Sequence, residues 1–280
     1  MVFQERTLVV AFEGWNDAGD AASVAARFLC EQLDAELLES VDPEDYYDFQ
    51  YSRPQVQLDS GGNREIIWPE SSFYRSTLAG SENVYFLIGV EPSRRWRTFV
   101  EEMLEVIEEQ EIKAVIFLGA LYTEVPHTRP IHLVSTSQSS HLREVYGLEK
   151  SDYTGPVGML TVLGTAIDEL NIANLALWAE VPHYTHGQAC PKAALALIAA
   201  VEGYLGREFS HKELADEAFA WERKVDEMVE GDEELANYIT QLESNRDAAE
   251  AAEASSDAMV EEVERFLRDK TEPEPPTEAS

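Results

Sequence analysis

Cysteine is nearly absent: the 280 residues hold only Cys30 and Cys190. A secreted scaffold held by disulfides needs more, so that class is excluded. Both cysteines sit in apolar, alanine-rich stretches and read as buried free thiols. Cations are also scarce. Lys and Arg number 21 against 54 Asp and Glu, a formal net charge of −33. A nucleic-acid binder needs a basic face to neutralise phosphates, and an anionic membrane repels such a surface, so neither partner is expected. Long apolar runs are missing as well. The longest, residues 193–201, is far short of the roughly 20 residues that span a bilayer. MVFQERTLVV has no basic region leading into an apolar run, so no signal peptide is expected and the reading is a reduced, cytoplasmic protein.

What is present suffices for a sizeable core: 44% of residues are hydrophobic and 10% aromatic. Apolar runs read as buried strands at 7–12 (TLVVAF), 84–88 (VYFLI), 114–118 (AVIFL), 131–136 (IHLVST) and 173–181 (ANLALWAEV). A hairpin is expected at 55–58 and 65–68 around Asp59-Ser60-Gly61-Gly62-Asn63, at the edge of a sheet. Helical periodicity fills the intervals: from Ala18 through Leu33, 95–109, around 142–145, 159–170 and 191–205, the last with Pro191 in its first turn. The alternation predicts an α/β fold with a central mixed, mostly parallel sheet and helices on both faces.

The remainder, 207–280, carries 23 acidic and 8 basic side chains, net −15. It reads as an acidic helical extension over 207–270 with helices near 211–229, 233–245 and 256–269, then a disordered tail over 271–280. Ser210 and Glu213 have the spacing of a capping box. Leu214, Ala218, Trp221 and Val225 form an apolar stripe that must pack on something.

Ligands of open α/β sheets bind beyond the carboxyl ends of the strands. The most unusual segment there is EGWNDAGD, residues 13–20. Gly14 and Gly19 permit sharp turns, Asn16 and Asp17 can cap the next helix, and Trp15 can staple the loop. Glu91 and Arg94 follow the second apolar run, Glu124 and His127 the third, and His183 and His186 the last. Gly155 and Gly158 precede a helix and could present backbone N–H groups to an anion. They lack the Lys-Ser/Thr of a P-loop and the third glycine of a dinucleotide fingerprint, so a turn that starts the helix close to the sheet is the better reading. His183, His186 and Cys190 lack the pattern of a zinc site. No metal or cofactor is expected.

EGWNDAGDAA (13–22), FLIGVEPSRRW (86–96), AVIFLGALYTEVPHTRP (114–130), GPVGMLTVL (155–163) and LWAEVPHY (177–184) together resemble the proteasome-assembly-chaperone type 2 family, in its actinobacterial branch. The resemblance covers about residues 5–205. It implies a nucleoside phosphorylase/hydrolase-like fold and, by analogy with eukaryotic relatives, assembly-chaperone work. Some of those relatives dock through a C-terminal hydrophobic-Tyr-x tail; residues 278–280 here are Glu-Ala-Ser. The family supplies no catalytic residues. Gly14, Trp15, Asn16, Asp17, Gly155, Gly158, Pro182 and His183 carry over as conformational or ligand-site candidates.

Two functions follow as expectations. The first is a non-catalytic, self-associating interaction protein, expected as a homo-oligomer, a trimer by analogy with the fold. The second is a nucleosidase- or hydrolase-like enzyme, or a small-ligand sensor, with a pocket holding Glu13, Asp17, Arg94, Glu124 and His183. It requires these residues to converge, Glu13 or Asp17 moving a proton and Arg94 holding an anionic group.

Overall fold

The computed structural model describes residues 2–271, with side chains through residue 252. The chain divides into two units, Met1–Glu227 and Met228–Ser280. In chain order the first begins with β1 (Thr7–Glu13), α1 (Ala21–Gln32), β2 (Ala35–Ser40), α2 (Pro43–Tyr46), β3 (Gln55–Leu58), β4 (Arg64–Ile67) and β5 (Ser71–Ser76). It continues with β6 (Val84–Val90), α3 (Trp96–Glu109), β7 (Ala114–Thr123), β8 (Leu133–Thr136), α4 (Ser140–Tyr146), α5 (Met159–Glu169), β9 (Ala173–Pro182) and α6 (Pro191–Leu205).

Seven strands form one sheet in the order β2-β5-β6-β1-β7-β9-β8. The four central strands, β6, β1, β7 and β9, are mutually parallel, as the expected mostly parallel sheet requires. Antiparallel pairing is confined to the flanks, where β5 joins β6, β2 joins β5, and β8 joins β9. β1, β6 and the first part of β7 are continuous apolar runs because both their faces are covered, whereas burial alternates along β9. Leu8, Val10 and Phe12 of β1 join Tyr85, Leu87, Val115 and Phe117 in one cluster with Phe99 and Met103 of α3 and Met159, Leu160 and Leu163 of α5. Val9 and Ala11 alternate to the other face, where α1 and α6 pack against the sheet and each other. Small side chains on those helices, Ala22, Ala25, Ala26, Ala193 and Ala194, are fully buried and let the helices lie close to the strands.

Two parts of the expectation change. β2 and β5 were not foreseen: β2 is largely exposed and does not alternate, and β5 is serine-rich. The 55–67 hairpin exists, but as a separate two-stranded sheet rather than an edge of the main one.

α7 (Lys212–Glu230) follows. Its first helical bond runs from the Ala215 N–H to the His211 carbonyl, so His211, not Ser210, stands at its start. Within the first unit α7 is tied by Asp226 to the buried His127 imidazole (3.0 Å) and by Glu222 to Lys192 (3.0 Å). α8 (Glu233–Thr271) is one continuous helix where two were expected. The intervening DAAEAAEASSDA is alanine-rich and has no glycine or proline to interrupt it. The disordered tail expected over 271–280 lies, past Thr271, outside the described residues. Among the described residues no helix is long and apolar enough to cross a membrane.

Phe12 is 1% exposed and meets Phe99 edge-on at 5.9 Å. Phe12→Ala should destabilise the α/β unit by about 3–5 kcal/mol, read as a lowered urea midpoint at unchanged slope.

Candidate functional site

β1 delivers residues 14–20 to the carboxyl ends of the strands. The Asn16 carbonyl accepts from the Ala120 N–H at 2.8 Å, and Asp17 bridges to Ala120 in parallel register, so the loop is laced to β7. A single 3-10 turn, Ala18–Asp20, then leads into α1. Gly19 has φ +61°, and a Cβ there would lie 2.8 Å from that of Cys190. Its N–H donates to the Tyr122 hydroxyl (3.1 Å) and its carbonyl accepts from the Cys190 N–H (2.7 Å). Asp17 caps α1 as expected, its Oδ1 accepting from the N–H groups of Ala22 (2.7 Å) and Ser23 (3.3 Å). Trp15 does not staple the loop; it is 68% exposed.

The Asp17 carboxyl is 6% exposed, and its Oδ2 is buried without a protein partner. Burial disfavours the charged form and raises its pKa to about 6, against the lowering effect of the hydrogen bonds it accepts. The folded protein therefore holds this proton more tightly than the unfolded chain. The contribution to stability is full below the ordinary carboxylate value of 3.8 and is lost as pH rises through about 6. Asp17→Asn keeps an acceptor for α1 but cannot ionise. Relative to wild type it should gain stability between pH 4 and pH 8, by on the order of 3 kcal/mol, as measured by denaturant melts at each pH.

Behind the loop, Gly158 opens α5 with extended backbone. A Cβ at Gly158 would overlap the Asn16 amide oxygen and lie 2.8 Å from Glu91 Oε1, so only glycine lets α5 start this close to the sheet. Glu91 accepts from the Met159 N–H at 2.6 Å. The first N–H of α5 thus meets a carboxylate of the chain itself, and the turn reading of residues 155–158 is the one supported. Burial raises the Glu91 pKa.

From this corner a groove of about 620 Å³ runs along the α5 face of the sheet, over β7, β9 and β8, toward Asp168 and Asn174. Its floor includes Phe117, Ala176 and Trp178. Trp178 lies across Gly119, where any Cβ would collide with the indole. Gly164, in the middle of α5, leaves the wall open above Phe117. The lining contains the carboxylates of Asp168 and Glu180 and no Lys, Arg or His. Its apolar lining residues Trp15, Leu121, Tyr153 and Val157 are all exposed. A Cβ at Gly164 would make ordinary contact with Phe117 at 3.5 Å. Gly164→Ala should therefore stabilise the fold by up to about 1 kcal/mol, seen as a higher melting temperature.

Of the sequence candidates, Trp15, Asn16 and Gly158 line this groove, and Asp17 lies next to Asn16 but is engaged with α1. The others are elsewhere. Glu13 pairs with Arg27. Arg94 donates to the Glu44 carbonyl. Glu124 is exposed, and Gly155 is exposed beside Tyr153. His183 is exposed with Nδ1 3.2 Å from the Thr123 carbonyl. Glu13, Asp17, Arg94 and His183 thus have separate partners, Glu124 is exposed, and none of these hydrogen bonds or ion pairs joins one of the five to another. Cys190 is buried as expected, but Cys30 is only partly so. Among the described residues no group of three His, Cys, Asp or Glu side chains could hold a metal ion. The sequence reading missed Trp178, Tyr153, Gly164 and Asp168; the one local signal was a glycine inside a helical pattern.

The sequence profile of the PAC2 family matches residues 11–229, and the chain belongs to that family. A PAC2 family protein of Streptomyces avermitilis is 39% identical, with a TM-score of 0.75, covering 83% of this chain and 98% of that one. A Mycobacterium tuberculosis proteasome-assembly chaperone homologue is also 39% identical, with a TM-score of 0.74, covering 83% of this chain and 99% of that one. A further M. tuberculosis protein, of unknown function, is 28% identical with a TM-score of 0.80, covering 90% and 85%. The actinobacterial resemblance read from the motifs is thereby borne out, and the match extends past residue 205 into α7. No curated protein matches the chain.

Proposed function

We propose that the chain is an assembly-chaperone-like interaction protein of the PAC2 family, without established catalysis. The observation that carries this reading is its family membership together with 39% identity to a proteasome-assembly chaperone homologue over nearly all of that protein's length. The dispersal of the acid-base candidates removes the motive for the nucleosidase- or hydrolase-like alternative. Exposed apolar side chains around the groove are the surface an interaction protein needs. The reading includes a cytoplasmic location and an α/β core, residues 1–206, with an acidic helical extension over 207–270 that is structural. The Asp226–His127 and Glu222–Lys192 pairs support the structural role.

It also includes self-association as a closed homo-oligomer, with a trimer suggested by analogy with phosphorylase-like folds. The β3–β4 hairpin supports this. Its register puts Val56 opposite Ile66 and Leu58 opposite Arg64, with Trp68 two residues past Ile66, so one face is mostly apolar with a single cation at its end. All four apolar side chains are exposed in the single chain, and a lone two-stranded hairpin is marginal in water.

Affinity capture with the tagged full-length chain should recover a stoichiometric protein partner; recovery of the chain alone would overturn the interaction reading. Light scattering during gel filtration should give a multiple of 31.4 kDa. Leu58→Lys with Ile66→Lys should reduce that mass while leaving the melt cooperative. A wild-type mass of one chain at micromolar concentration would remove the oligomer.

A further inference from the structure

We infer that the groove along β9 receives an extended segment of a partner protein, with apolar side chains in its middle and a lysine or arginine toward each end. This deepens the interaction reading above and rests on it.

The length of the site comes from the strand. Asn174 and Glu180 both line the groove and are six residues apart on β9, about 20 Å at ~3.3 Å per residue. That accommodates about six residues of extended chain. The middle of the site is apolar and aromatic, with Phe117, Ala176 and Trp178 beneath and Leu160 on α5. The ends are acidic. Asp168 stands at one, beside Asn174, and Glu180 at the other. Each carboxylate has one oxygen engaged, Asp168 Oδ1 by the Asn174 amide (2.7 Å) and Glu180 Oε2 by His132 Nδ1 (2.9 Å). No Lys, Arg or His lines the groove, in a chain whose net charge is −33. An acidic segment would meet repulsion at both ends, whereas a basic one is drawn in at both.

Asn16 closes the Glu180 end of the groove: it is 7% exposed, and its Oδ1 is packed under Gly158. The wall at Gly164 is open. A helix interior tolerates glycine there only at a cost in stability, and what the glycine leaves is room over Phe117.

The test is an array of hexapeptides, each apolar core present once with lysine at both ends and once with glutamate, probed with the purified full-length chain. Lysine-ended peptides should be retained at least tenfold better than their glutamate-ended counterparts. So acidic a protein attracts any cation, so the deciding variants carry no charge change. Gly164→Leu fills the groove, and Trp15→Ala removes an exposed wall that the fold does not need. Each should lower retention of the lysine-ended peptides at least tenfold while keeping a cooperative melt. If Gly164→Leu fails to fold, Trp15→Ala alone decides. Equal retention of both peptide sets, no retention of either, or undiminished retention by Trp15→Ala would overturn the inference. Partner capture, repeated with the same variants, separates the two levels. A partner held equally by wild type and variants leaves the interaction reading standing without the groove, whereas loss of capture in wild type removes the reading itself.

Discussion

The Asp17 carboxyl is the point from which the rest of the α/β unit is arranged. It sits where β1 stops being a strand, and it takes the first N–H groups of α1 while the backbone beside it is laced to β7. A helix N-terminus attracts negative charge, and burial resists it. The outcome is a group held near its titration point, able to cap in either protonation state but at different cost. Because the cap fixes where α1 begins, it also fixes how α1 meets α6 and how closely the loop approaches Cys190. The same loop sets Asn16 against Gly158, so the start of α5 on the opposite face depends on it too.

The groove is a consequence of small residues placed among large ones. Gly119 lets the Trp178 indole lie flat, Ala176 keeps the floor low, and Gly164 holds back the wall. Close packing is the default state of a protein interior. A channel along a sheet therefore needs side chains withheld from it at several separated positions. Its chemistry is equally one-sided, with aromatic surface, two carboxylates and no cation.

Much of the fold was legible because burial on both faces leaves an unmistakable mark. TLVVAF, VYFLI and AVIFL are apolar without alternation and became three of the four central strands; ANLALWAEV, the fourth, is mostly apolar but turns Asn174 and Glu180 to the groove. The flanking strands were hidden for the converse reason. SSFYRS pairs on both edges but owes its place to hydrogen bonds rather than to apolar pattern, and AELLES lies largely in solvent. The helix from Glu233 to Thr271 was cut in two because its polar, alanine-rich middle has no apolar period to read, although propensity alone carries it through. At the site, the loop was found and Asp17 was given its capping role, since Asx residues before a helix have a local mechanism. Trp178, Gly164 and Asp168 were not found. Their meeting depends on β9 lying beside β7 and on α5 crossing above both, which no local pattern states. Arg94 and Glu124 were drawn in for the opposite reason: each follows a strand, but the chain turns it away from the groove.

The two thiols give the molecule an internal clock. Cys30 on α1 is partly exposed, whereas Cys190 is 1% exposed beneath the loop at Gly19, and burial pushes both up to about 11. A thiol reacts as thiolate and only when a reagent reaches it. Cys30 can be modified from the native state, slowly, and faster in alkali. Cys190 must wait until the Gly19 segment lifts from the start of α6, so its alkylation rate reports the population of that open form. An occupant that steadies the neighbouring Asn16 corner would slow that clock without touching the sulfur.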